Sequence, residues 1–96
     1  MIVEIQCLPS PAGTAEDPHA HIEAAIAIIA DSGVHYEVGP LGTTFEGDPD
    51  RLWPLLRRIH EAVLDAGATT AISVVKIAEG RGESARTMDS LTAKFR

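Results

Sequence analysis

Residues 2–8, IVEIQCL, alternate Val3, Ile5 and Cys7 against Glu4 and Gln6, a period of two that predicts a strand with one buried face. The Pro9-Ser10-Pro11-Ala12-Gly13 stretch ends it. Asp17 followed by Pro18 reads as an N-cap with proline at the first helical position, where a missing N–H costs nothing. Ile22, Ala25, Ile26 and Ile29 then fall on one face of a helix over about 18–32, which Gly33 stops. Val34, Tyr36 and Val38 alternate with His35 and Glu37. After Gly39-Pro40-Leu41-Gly42 comes a second short alternating run, Thr43 to Glu46, so this stretch predicts a β-hairpin.

Asp48-Pro49 repeats the cap-then-proline signature, and Leu52, Leu55, Leu56, Ile59, Val63 and Ala66 form the stripe of a second helix over about 49–66. Pro54 conflicts with its opening turns, because proline there removes a hydrogen bond and crowds the preceding carbonyl; a kink or irregular first turn is expected. The β-branched run Thr69–Ala78 predicts a strand inside the sheet, buried on both faces except at Lys76. A polar loop, Glu79–Ser84, precedes a short helix capped by Thr87, with Met88, Leu91 and Phe95 along one apolar edge that should dock.

The order is β-α-β-β-α-β. Right-handed crossovers then pack both helices on one face of a four-stranded antiparallel sheet, a ferredoxin-like α+β sandwich. Residues 1–96 make a single domain, with 79–96 as loop and short C-terminal helix. Alternation puts Val3, Ile5, Cys7, Val34, Tyr36, Val38, Leu41, Thr43, Phe45, Ser73, Val75 and Ile77 on the helix side. The other face carries Glu4, Gln6, Leu8, His35, Glu37, Thr44, Glu46, Ile72, Val74 and Lys76. That mixture is too apolar to be simply solvated, so it calls for packing by another subunit or for a ligand.

Composition narrows the classes. A chain of 96 residues buries only about 60–65% of its unfolded surface, so self-association is worth having. The net charge of −6 disfavours nucleic acid and anionic membranes as partners. The balance is uneven: residues 76–96 hold five of the eight Lys and Arg and three acids. The N-terminus lacks a basic segment, and no apolar run approaches the roughly 18 residues that span a bilayer, so a soluble, cytoplasmic protein is expected.

Chemical motifs are few. Cys7, the single cysteine, reads as a buried, inert thiol. His19 and His21 point about 200° apart on a helix and do not chelate one metal, while His35 and His60 read as surface or packed side chains. No nucleophile elbow, Walker loop or dinucleotide fingerprint is present, and Gly80-Arg81-Gly82 is too short to cradle phosphate. RNA recognition on this fold needs exposed aromatics where the chain has Gln6 and Thr44. Glu4, Glu37 and Glu46 could form an acid/base pair, but read more simply as acidic surface. The expectation is therefore no enzyme, no cofactor and no metal.

Four stretches, MIVEIQCLPSPAG, YEVGPLGTTFEGD, LLRRIHEAVLDAGA and SVVKIAEGRG, resemble the small thiamine-binding family related to the YkoF-like proteins. The resemblance covers nearly the whole chain, with Tyr36–Gly47 its most specific part. It implies a ferredoxin-like fold assembled as a homotetramer, a dimer of dimers, that binds thiamine or its hydroxymethylpyrimidine part without known catalysis. Such a ligand joins a hydrogen-bonding aminopyrimidine to a cationic thiazolium. Gln6, Ser10, Thr43 and Thr44 are then the candidates for the pyrimidine, and Glu37 or Glu46 for the cation. A stacking ring would have to come from Tyr36, Trp53 or Phe95. Two other classes stay open: an interaction or regulatory module whose polar sheet face serves only assembly, and an acid/base enzyme using Glu37 or Glu46.

Overall fold

The computed structural model describes residues 1–96 and contains the expected elements. β1 (Ile2–Ser10), α1 (Ala20–Asp31), β2 (His35–Val38), β3 (Thr43–Glu46), α2 (Pro49–Asp65) and β4 (Thr70–Ala78) follow in order, then a short α3 (Met88–Thr92). The sheet order is β2-β3-β1-β4 with every neighbour antiparallel. This is the ferredoxin-like α+β arrangement. No helix is long and apolar enough to cross a membrane.

The core lies between the sheet and the two long helices. Val3, Ile5 and Phe45 from the sheet meet Ala25 and Ile29 of α1 and Leu52, Leu55, Ile59 and Val63 of α2, all buried. Asp48 caps α2 by accepting the Asp50 N–H at 2.8 Å. The helix runs through Pro54 without interruption. Asp50, whose carbonyl loses its partner there, and Pro54 are both exposed, so water can satisfy the bare carbonyl and the first turns remain helical beside the proline.

α1 starts later than its Asp-Pro signature predicts. The Asp17 carbonyl accepts from both Thr14 N–H and Ala20 N–H, and Thr14 Oγ1 accepts from Asp17 N–H, so residues 14–17 close a turn of their own. His19 stands at the cap position with no side-chain bond. The stop is as expected: Gly33 adopts φ +82°.

β4 is an edge strand, not an interior one. Its β-branched run left Ile72, Val74, Val75 and Ile77 substantially exposed. Periodicity alone does not separate a strand buried by its own sheet from one with uncovered apolar flanks.

The sheet is stepped. β1 pairs with β4 along its whole length, from Ile2 with Ala78 to Ser10 with Thr70. It pairs with β3 only from Ile2 to Ile5. Beyond Ile5 the hairpin turns away, closed by Gly39 N–H to Gly42 C=O at 2.8 Å. On its β3 side, β1 therefore has a free backbone edge from Gln6 onward.

The C-terminal segment folds back onto the sheet face opposite the helices. Thr87 and Ser90 form a reciprocal capping box. Met88 N–H donates to Glu46 Oε1 at 2.9 Å, and Met88 is buried. Of the apolar edge expected to dock, only Met88 does so; Leu91 and Phe95 stay exposed, Phe95 at 81%.

Candidate functional site

Two hollows flank the hairpin turn Gly39–Gly42, one on each face of the sheet. The first is a cleft of about 210 Å³ between the sheet and α1. Its floor is the strand stretch Gln6–Leu8 at the free edge of β1. Antiparallel pairing to β4 uses alternate residues, so the others turn N–H and C=O outward into the notch. One wall is aliphatic, from Ile22, Ile26 and Ile29 of α1, and the opposite wall is the hairpin itself, Val38–Thr43. No charged side chain lines it.

Cys7 lines this cleft and ends a short polar chain. Ser73 Oγ of β4 lies 2.6 Å from His60 Nδ1 of α2 and 3.8 Å from Cys7 Sγ. Burial pushes the Cys7 thiol pKa up, and the Ser73 hydrogen bond partly offsets that rise. The sulfur is therefore held as the neutral thiol, the reverse of an activated nucleophile.

The second hollow, about 280 Å³, lies on the open face and is lined by Glu4, Glu37, Thr44 and the same turn. Register places its side chains in one transverse row: Glu37 faces Thr44, Thr44 faces Glu4, and Glu4 faces Lys76. Both carboxylates are already engaged. Lys76 Nζ stands 3.5 Å from Glu4, and Arg96 Nη2 donates to Glu37 Oε2 at 2.8 Å.

The six residues proposed from the sequence are thus distributed rather than gathered. Gln6 and Thr43 line the cleft, and Thr43 is buried on the helix side. Glu37 and Thr44 line the open-face hollow. Glu46 lies on the same face but serves the C-terminal segment, accepting from Met88 and standing 3.8 Å from His35. Ser10 sits at the far end of β1, where its carbonyl accepts from the N–H and hydroxyl of Thr69. Tyr36, Trp53 and Phe95 line neither hollow.

Sequence reasoning did not find the cleft-lining role of Cys7, Ile22, Ile26 and Leu41. One signal was there: the β1 and β4 patterns are about twice as long as the hairpin arms, which leaves part of β1 without a neighbour. His21 is buried with Nδ1 2.7 Å from the Pro11 carbonyl, a packing role, and no three His, Cys, Asp or Glu side chains group to hold a metal.

A family model described as thiamine-binding protein matches residues 3–96. A UPF0045 protein of Clostridium perfringens is 36% identical over 96 residues, covering 98% of this chain and 95% of its own length. Among solved structures, a domain of unknown function from Bacillus cereus superposes with a TM-score of 0.80 at 33% identity, covering 100% of this chain and 91% of that one. A Thermotoga maritima structure described as a candidate thiamine biosynthesis/salvage protein gives a TM-score of 0.83 at 26% identity, with 99% and 97% covered.

Proposed function

This chain belongs to the thiamine-binding protein family, and from that membership we propose that it binds thiamine or its hydroxymethylpyrimidine part, without transforming it, in the cleft beside the hairpin. The observation that carries the assignment to this cleft is its pairing of aliphatic walls with an unpaired strand edge. An aminopyrimidine is flat and apolar on its faces, while its rim offers both donors and acceptors. Ile22, Ile26 and Ile29 suit the faces; the free N–H and C=O groups between Gln6 and Leu8, with the Thr43 hydroxyl, suit the rim.

Size and charge decide how much of the ligand enters. A volume of about 210 Å³ lies below the roughly 300 Å³ at which pockets begin to enclose drug-sized molecules, so it fits one ring better than two. The uncharged lining opposes burial of a cation, which is costly without a partner. The pyrimidine goes in, and the thiazolium stays at the mouth in water.

Binding without turnover is supported by Cys7, the nucleophilic side chain of the cleft, which burial keeps protonated. We infer further that the chain works as a cytoplasmic homotetramer. The uncovered edge of β4 and the exposed Leu8, Ile72 and Val74 of the open face supply surfaces for a second and third copy. Those same side chains favour a second reading, in which the sheet face serves assembly alone.

Calorimetry and thermal unfolding with thiamine and with hydroxymethylpyrimidine test the binding. Ligand that binds the native state raises the melting temperature by mass action, and Thr43→Val with Leu41→Ser should weaken both compounds. Absence of heat and of any shift at millimolar concentrations of both compounds overturns it. Light scattering on the same samples reads the assembly.

A further inference from the structure

The hairpin that forms the outer wall of the cleft is the least anchored part of the sheet. All four residues of β2 are exposed, and β2 pairs with β3 alone. β3 in turn joins β1 through four residue pairs. On the open face, however, each arm of the hairpin is gripped by the C-terminal segment. Met88 N–H holds Glu46 on β3 at 2.9 Å, and Arg96 holds Glu37 on β2 at 2.8 Å. Arg96 also reaches Asp89 at 3.4 Å, which ties the end of the segment to its own helix. Glu37 immediately precedes Val38, the first hairpin residue that lines the cleft, so a grip on one side of the strand fixes the wall on the other.

We propose that segment 87–96 is a strap that positions the cleft wall, with Arg96, Glu37 and Glu46 as positioning residues for the ligand they do not touch. The inference rests on the reading that the cleft is the ligand site. Its physical basis is local stability: a short edge hairpin opens at far lower free energy than the core, and opening it removes one side of the cleft. The Arg96–Glu37 pair is half-exposed, so its effect on ligand retention is modest and falls with salt.

The test measures dissociation rates of thiamine and hydroxymethylpyrimidine from wild type, Arg96→Ala, Glu37→Gln and the double variant. Each single change should speed release about two- to fivefold at low salt, and the double variant should release no faster than either. The exchanged pair, Glu37→Arg with Arg96→Glu, should recover only part of the wild-type retention, because the carboxylate at position 96 then stands beside Asp89, and 1 M NaCl should erase the differences. Alongside, amide exchange at Leu41–Thr43 should quicken in Arg96→Ala while α1 and α2 stay protected and the global melting temperature barely moves. Equal release rates, additive effects in the double variant, or unchanged exchange in the hairpin overturns the proposal. If neither compound binds wild type, the ligand reading falls, and the exchange measurement alone decides whether the strap holds the hairpin.

Discussion

Ser73 on β4 and His60 on α2 meet at 2.6 Å through Oγ and Nδ1, and the serine passes that contact on to Cys7 at 3.8 Å. A hydroxyl between an imidazole and a sulfur places the thiol in the floor of the cleft with one weak polar partner. Burial outweighs that partner, and the thiol pKa rises above its ordinary value of 9.0.

The native thiol should therefore react with iodoacetamide more slowly than the same thiol in urea, since each unit of upward shift cuts the thiolate fraction about tenfold. The linkage runs the same way. Because folding raises this pKa, the neutral thiol's contribution to stability is complete below pH 9 and is lost as the pH rises beyond it. Ser73→Ala removes the hydrogen bond that lowers the value and should slow alkylation further. Bound hydroxymethylpyrimidine should shield Cys7; an unchanged labelling rate at saturation would place the ligand elsewhere.

Two glycines with positive φ separate backbone strain from crowding. Gly67, at φ +131°, faces the buried His21, and a Cβ there would lie 2.9 Å from Nε2 of a ring already held by the Pro11 carbonyl. Gly82, at φ +60°, has nothing within 4 Å of its missing Cβ. Gly67→Ala should cost about 2 to 4 kcal/mol, with strain and clash combined, and Gly82→Ala about 1 kcal/mol from strain alone. Urea titration of the two variants gives the comparison directly.

Asp48→Ala deletes the side-chain acceptor for Asp50 N–H at the start of α2. A loss of about 1 kcal/mol is expected, recovered by Asp48→Ser or Asp48→Asn, whose side chains also accept. Recovery by neither would mean that the Asp48 charge near the helix end, rather than its hydrogen bond, stabilises the turn.

Phe45 is fully buried where β3 meets β1 and both long helices. Phe45→Ala should cost about 3 to 5 kcal/mol, a large share of the roughly 5 to 14 kcal/mol available to a domain of this size. Thermal denaturation followed by circular dichroism should show melting near ambient temperature. A shift of only a few degrees would mean that the core collapses around the gap.

Local patterns carried the fold, because each was enforced by one dominant force. Alternation in Val3, Ile5 and Phe45 assigned the sheet faces correctly, since a one-residue slip would expose all three. Gly33 stopped α1 for a conformational reason that needs no context. Asp17 misled because its carbonyl, not its side chain, was the useful group. The edge position of β4 was hidden because its residues are apolar whichever way the strand is flanked. The site was less legible still: Thr43 and Thr44 are consecutive, yet they serve opposite faces and separate hollows. Whether Gln6 meets a neighbour or a void depends on where β3 ends, a relation between segments more than thirty residues apart.

The stagger between the long β1–β4 ladder and the short hairpin makes hairpin length an adjustable dial. Lengthening each arm by two residues would pair β1 past Gln6 and close the notch, and shortening them would widen it. Neither change would disturb Val3, Ile5 or the helices packed on them. Cavity size can thus be changed by insertion at a single turn while the hydrophobic layer stays unaltered.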